Sequence, residues 1–308
     1  MCEKVSIIIL TKNAEENIFD TLTTVFKQRT SFPFEVMVID DSSTDKTVEI
    51  IKKFSKVTLI QIKPEEFGHG KTRNLGASLA SGQYLVFLNG DAIPKDEYWL
   101  SSLIGNFKNN DKVAGVYSRH LPRENCHLYM KLDLFNGMPP IKMIKQLKNV
   151  SKDEINLFIN DLIQFSTVSC AIKKRIWEKE PFDERLVLAE DQDWSKKMLE
   201  EGYTIIYEPS SMVFHSHNYT PMEFFIYHLK CARMFNYIKG NPRTRKGILY
   251  SILFSPFNIF LQIIHQTIYA LQRGYKPARV LKEGVITFIL RFSGLLGNIC
   301  GARSKTLK

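Results

Sequence analysis

Apolar runs alternate with stretches of helical spacing through the first third of the chain. Val5–Leu10, VSIIIL, is a continuous β-branched run, as expected of a strand buried on both faces. ENIFDTLTTVFKQ then places Ile18, Leu22, Val25 and Phe26 at helical intervals. FEVMVIDD predicts a second strand and STDKTVEIIKKFS a second helix, with Ser43 or Thr44 placed to cap it. VTLIQI, the small-residue helix GKTRNLGASLAS and QYLVFL complete a βαβαβαβ order. That order predicts a doubly wound, mostly parallel α/β sheet flanked by helices. Right-handed crossovers place the four strand C-termini on one edge. Thr11, Asp40, Asp41 and Asp91 should therefore line one crevice, where open α/β sheets bind ligands.

From about Leu121 to Ser166 the pattern is irregular and predicts helices and loops covering the sheet. Mixed structure returns afterwards, with a helix from about Asp191 to Glu201 and a strand, TIIYEP. Beyond Met222 the chain reads as helical and basic, which suggests a division into residues 1–221 and an extension, 222–308. Gly247–Gln272 lacks Asp, Glu, Lys and Arg and is long enough to span a bilayer, but Pro256, Asn258, Gln262, His265 and Gln266 interrupt it. A second run, VITFILRFSGLLGNIC, is broken by Arg291. These features predict helices lying in a membrane interface. The alternatives are a re-entrant hairpin and an amphipathic pair that packs on residues 1–221 or on a second copy of the chain.

Charge strengthens the membrane expectation. The net charge is +10, yet Cys231–Lys308 holds 13 Lys and Arg against one acid, Glu283. That stretch therefore carries +12 and the other 230 residues about −2. An anionic partner is implied. The basic residues flank apolar runs instead of interleaving with polar and aromatic ones, which favours an anionic membrane surface over nucleic acid. The five cysteines form no CxxC pair, so neither a zinc site nor a disulfide framework is indicated. Reduced thiols and a short N-terminal apolar run without a cleavage site predict a cytoplasmic protein, peripheral at the inner face of the membrane.

Candidate chemistry clusters at the strand ends. Asp40-Asp41 reads either as a turn with a helix cap or as carboxylates that bind a nucleoside. The first strand is not followed by GxGxxG, and the chain has no GxxxxGK[ST], which excludes dinucleotide and P-loop readings. In FGHGKTRNLG, Lys71 and Arg73 enter a helix N-terminus suited to a diphosphate. Asp91, with Asn89 two residues before it, can hold Mg²⁺ if substrate phosphates complete the shell. Glu190, Asp191 and Asp193 open a helix, either as dipole-matched acids or as the source of a general base. His215 and His217, spaced i, i+2, can serve as a metal ligand and a substrate contact.

Taken in order, VSIIILTKNAEENI, VMVIDDSSTDKT, FGHGKTRNLGA, YLVFLNGDAIP, AEDQDW and YEPSSMVFHSHNY resemble family 2 glycosyltransferases of the GT-A fold, in the rhamnosyltransferase-like branch. The resemblance runs from about Val5 to Tyr219. It implies a nucleotide-diphosphate sugar donor, held by Thr11, Asn13, Asp40, Asp41, Lys71, Arg73 and Asn89. Asp91 would be the second, metal-binding carboxylate of the family's DxD motif, with Asn89 in place of the first. His215 would be the late metal-proximal histidine and the cofactor Mg²⁺ or Mn²⁺. Asp191 would be the catalytic base, with Glu190, Trp194 and His217 at the acceptor site. Ala14 departs from the acid the family often carries after the TxN asparagine. The implied reaction is inverting transfer, by best match of L-rhamnose from dTDP-L-rhamnose, to a saccharide hydroxyl, often lipid-linked, in cell-surface polysaccharide synthesis. Alternatives are a UDP- or GDP-sugar donor, or a catalytically degenerate scaffold at the membrane. A nucleotidyltransferase would need a glycine- and basic-rich loop after the first strand, where TKNAEENI has no glycine.

Overall fold

The computed structural model describes residues 4–147, 161–239 and 245–302, which form two compact units. The described residues of the first lie within Met1–Leu121, Met138–Arg185 and Glu190–His215. β1 (Val5–Thr11) is buried at all seven positions. It lies between β2 (Phe34–Asp41) and β4 (Tyr84–Asn89), parallel to both, and β3 (Val57–Ile62) extends the sheet beyond β2. The connecting helices are α1 (Ile18–Phe26), α2 (Thr47–Ile51) and α3 (His69–Leu79). Ile7, Ile9, Val38, Val86 and Leu88 share a core with Ile18 and Leu22 of α1 and with Trp99 and Leu103 of α4 (Trp99–Ile104).

The opposite face is covered by α3, whose small residues let it sit close. A Cβ on Gly76 would lie 2.4 Å from Ile8 Cγ2 and 3.0 Å from Ile39 Cδ1. The expected cap of α2 is corrected. Asp45 Oδ1 accepts the Thr47 N–H at 2.9 Å, while Ser43 donates to Asp40 instead.

The parallel order predicted from the sequence holds through β4. Beyond it the sheet becomes mixed. β8 (Ser169–Lys173) runs antiparallel between β4 and β6 (Val113–Leu121). β9 (Thr204–Phe214) lies parallel to β6 and also pairs antiparallel with β5 (Ile93–Pro94) and β7 (Met143–Lys145). The helices α6 (Lys174–Trp177) and α7 (Glu190–Glu200) complete this unit.

The second unit is helical. It comprises α5 (Leu128–Gly137), α8 (Pro221–Lys239), α9 (Arg245–Gln272) and α10 (Pro277–Ala302), within Pro122–Gly137, Leu186–Ala189 and Ser216–Lys308. α10 lies almost backbone to backbone on α8. A Cβ on Gly297 would meet the Phe225 carbonyl oxygen at 2.3 Å, and one on Gly301 that of Leu229 at 2.4 Å. Glu283, the one tail acid, is buried and accepts the Leu128 N–H at 3.0 Å, with His127 Nδ1 3.2 Å away. Arg291, which interrupts the last apolar run, pairs with Asp133 beside the Tyr129 ring within the continuous α10. Among the described residues α10 is the helix long and apolar enough to cross a membrane, by length and composition. Cys126, Cys170, Cys231 and Cys300 are free thiols, whereas Cys2 and the Arg243-Thr244 start of a predicted basic cluster lie outside the described residues.

Replacing Gly76 by alanine should destabilise the first unit by about 1–3 kcal/mol, because the added methyl must displace Ile8. A urea unfolding midpoint equal to the parent's would contradict this close approach.

Candidate active site

β1 sits where the strand order reverses, with β2 on one side and β4 on the other. Crossovers leaving in opposite directions open a crevice at the strand C-termini. A cleft of about 250 Å³ lies there, lined among others by Thr11, Lys12, Asp41, Arg73, Asn89 and Asp91. A larger hollow of about 870 Å³ lies by Gln83, ahead of β4, and Lys174, just past β8. It is away from the crevice and its cations are already engaged: Lys173 with the Asn110 carbonyl, Arg175 with Asp111.

On the β2 side, Asp41 is buried and its Oδ2 meets Lys12 Nζ at 2.7 Å. Among the described residues the buried Thr11 hydroxyl has no hydrogen-bond partner, so it is available to a ligand in the cleft. Asp40 is not brought to the cleft, because both of its oxygens accept from Ser43 inside the turn. Asn13, at φ +47°, accepts the Thr44 N–H at 2.8 Å and ties two loops together. Lys71 is exposed and does not line the cleft, whereas Arg73, two residues on, does. The structure thus gathers Thr11, Asp41, Arg73 and Asn89 from the expected donor set.

Arg73 is buried and bridges two elements. Its Nη1 donates to Glu190 Oε1 at 2.7 Å and to the His69 carbonyl, and its Nη2 reaches Asn89 Oδ1 at 3.3 Å. Glu190 and Trp194, both expected at the acceptor site, turn inward instead. Glu190 is consumed by Arg73. Trp194 is 1% exposed, packs against Phe165 and Phe182, and donates to the Glu180 carbonyl. Asp193 forms an i, i+4 pair with Lys197 at 3.2 Å, pointing away from Asp191 as helical spacing predicts.

Asp191 does not line the cleft but lies beside the end of β4, next to Thr167. The Thr167 N–H and hydroxyl both reach its Oδ2, at 3.1 and 3.3 Å, and the Gln192 N–H donates to Oδ1. Strand pairing explains the placement. Leu88 of β4 pairs with Ser169 of β8, and the Asn89 N–H donates to the Val168 carbonyl, so Thr167 lies beside the end of β4. Burial, and then the neighbouring Glu190 charge, push the Asp191 carboxyl up to about 6. Thr167 and Lys12 were missed by the sequence reading. Lys12 adjoins the TxN motif, whereas Thr167 carries no local signal and is found only through the β4–β8 pairing.

The turn after β4 is held by the Thr21 hydroxyl on the Gly90 carbonyl and by pairing of Ile93 with Phe214 at the end of β9. This brings Asp91 Oδ2 to 3.5 Å from His215 Nε2, with their side chains 26% and 11% exposed. That spacing suits two ligands of one ion; the carboxylate with phosphate oxygens suits Mg²⁺ or Mn²⁺, and the imidazole nitrogen fits Mn²⁺ better than the harder Mg²⁺. His217 follows in the second unit, its ring 5.4 Å from that of Tyr219.

The family model for glycosyl transferase family 2 matches residues 6–179. The chain belongs to glycosyltransferase family 2. It is 31% identical over 225 residues to the O-antigen chain rhamnosyltransferase RfbN of Salmonella typhimurium, covering 72% of this chain and 69% of that one. It is 33% identical to the O-antigen chain rhamnosyltransferase WbaN of Salmonella anatum, covering 71% and 68%. The fold is GT-A. The mannosyltransferase PcManGT of Pyrobaculum calidifontis, solved with GDP-Man and Mn²⁺, superposes with a TM-score of 0.57 at 15% identity over 97% of this chain and 87% of that one.

Replacing Glu190 by alanine strands the buried Arg73 guanidinium and should cost about 3–5 kcal/mol. Thermal or denaturant unfolding of the variant measures this directly. A loss below about 1 kcal/mol would mean that Arg73 finds other partners.

Proposed function

We propose that this glycosyltransferase moves L-rhamnose from dTDP-L-rhamnose, with inversion, to a hydroxyl of a lipid-linked saccharide in cell-surface polysaccharide synthesis. The observation that carries the reading is Asp191: a carboxylate oriented by Thr167 and Gln192, with its pKa raised towards neutrality, beside the strand end that bears Asn89 and Asp91. The O-antigen rhamnosyltransferase relatives support the donor sugar and the pathway class.

In the proposed reaction Asp191 accepts the proton of the acceptor hydroxyl. The oxygen attacks the anomeric carbon from the face opposite the diphosphate. The C–O bond to the diphosphate breaks, and the nucleoside diphosphate leaves with the bonding pair. Thr11 and Asp41 contact the nucleoside, and Lys12 offsets the Asp41 charge. Arg73 holds Asn89 and Glu190 in place. A divalent cation bound by Asp91 and His215 would neutralise charge on the departing diphosphate. His217, two residues beyond His215, is assigned to the acceptor. The tail exposes Leu253, Phe257, Phe260 and Leu281 at 60–73%, which supports docking at the inner face of an anionic membrane.

Calorimetric titration with dTDP-, UDP- and GDP-sugars, with and without Mn²⁺, tests the donor. Tightest, metal-dependent binding of dTDP-L-rhamnose is expected, and preference for another nucleotide sugar would discard rhamnose. Asp191→Asn should lose about 10²–10⁴ in transfer rate and keep donor binding. A variant that lost donor binding instead would remove Asp191 from its role. The pH profile gives a second check. A base must be deprotonated, and a raised pKa moves that requirement upward. kcat/KM should therefore climb as pH rises through about 6, instead of near the usual aspartate value of roughly 4. A profile flat between pH 5 and 7 would be incompatible with Asp191 as the base.

A further inference from the structure

The second unit contains a cavity of about 420 Å³ at the turn joining α9 to α10. Lys131, Arg273, Lys276 and Arg279 line it with one carboxylate, Glu124. Two of the cations are presented on aromatic rings. The Arg273 guanidinium lies 3.9 Å from the Tyr269 ring centre and that of Arg279 4.7 Å from Tyr275. Stacking fixes the plane of a guanidinium and leaves its N–H edge for an anion. Among the described residues neither arginine has an ion pair, and Lys131 donates to a main-chain oxygen, that of Glu124, at 2.8 Å. Among the described residues the cavity therefore gathers four cations against one carboxylate.

The helices on either side indicate what kind of anion this is. On α9, Leu253, Phe257, Phe260, Ile264, Ile268 and Leu271 repeat at helical intervals and are all exposed. On α10, Leu281, Val285, Phe288 and Phe292 do the same. Each stripe opposes its helix's buried side, where Gln266 meets Thr287 and Glu283 meets Leu128. An anionic group at one end of two apolar stripes has the chemistry of a phospholipid: a phosphate head joined to hydrocarbon. Arginine N–H groups match phosphate oxygens in geometry as well as charge.

We infer that this cavity binds the phosphate of an anionic phospholipid and so fixes the α9–α10 turn at the headgroup level. The inference rests on the membrane reading of the tail given above and adds a specific site to it. Binding of the full-length chain to phosphatidylcholine vesicles, with and without phosphatidylglycerol, tests it. Arg273→Gln/Arg279→Gln removes two charges inside the cavity, and Lys230→Gln/Lys282→Gln removes two exposed ones that do not line it. A diffuse field predicts equal losses, about fivefold per charge. A headgroup site predicts that the cavity variant loses more than about 100-fold on phosphatidylglycerol vesicles, while the control stays near 25-fold. Equal losses in the two variants would overturn the site and leave membrane docking standing. If the parent protein binds neither vesicle, the membrane reading itself falls and the site with it. Full competition by millimolar inorganic phosphate would show a free-anion site and overturn the lipid assignment. An unchanged circular dichroism spectrum and unfolding temperature establish that both variants are folded.

Discussion

A guanidinium and a carboxylate meet with almost no water between Arg73 on α3 and Glu190 at the start of α7. Removing two charges from solvent is costly, and the pair compensates only if its geometry and its other hydrogen bonds are good. Arg73 meets that condition by also donating to the His69 carbonyl and to Asn89. The result is a rigid link between a helix of the parallel half of the sheet, the end of the central strand β4, and the helix that carries Asp191. Glu190 has a second effect through its charge, since it raises the proton affinity of the neighbouring Asp191. One interaction thus fixes the position of Asp191 and contributes to its basicity.

The two halves of the sheet divide the labour. The parallel strands β1, β2 and β4 end in Thr11, Asp41 and Asn89–Asp91, which line the cleft. The strands that enter out of sequence supply the rest. β8 places Thr167 against Asp191, and β9 ends at His215 beside Asp91. A purely parallel sheet would end all its strands on that edge with no strand returning from the other side. The antiparallel entry of β8 starts a strand there, so that residues just before it face residues just after β4.

Much of this was legible from local pattern. The apolar runs gave the four parallel strands, and the strand-end rule gathered Thr11, Asp40, Asp41 and Asp91, of which all but Asp40 line the cleft. The i, i+2 histidine spacing pointed to His215. What local pattern does not encode is where a polar side chain turns when a long-range partner competes for it. Asp40 and Asp41 are adjacent in the chain, yet one is spent on Ser43 and the other faces the cleft. Trp194 follows the acidic cluster closely but belongs to the core, because Phe165 and Phe182 arrive from elsewhere in the sequence. Thr167 was invisible for the same reason: its meaning lies in a strand pairing across some eighty positions.

The glycine seam between α8 and α10 separates what holds the tail together from what the tail shows to its surroundings. Cohesion there comes from main chain against main chain at Gly297 and Gly301, where no side chain fits. The outward aliphatic and aromatic residues contribute nothing to that seam. They are therefore interchangeable in a way the glycines are not, and the outward face of the tail can change in bulk, polarity or charge without loosening the helices that carry it.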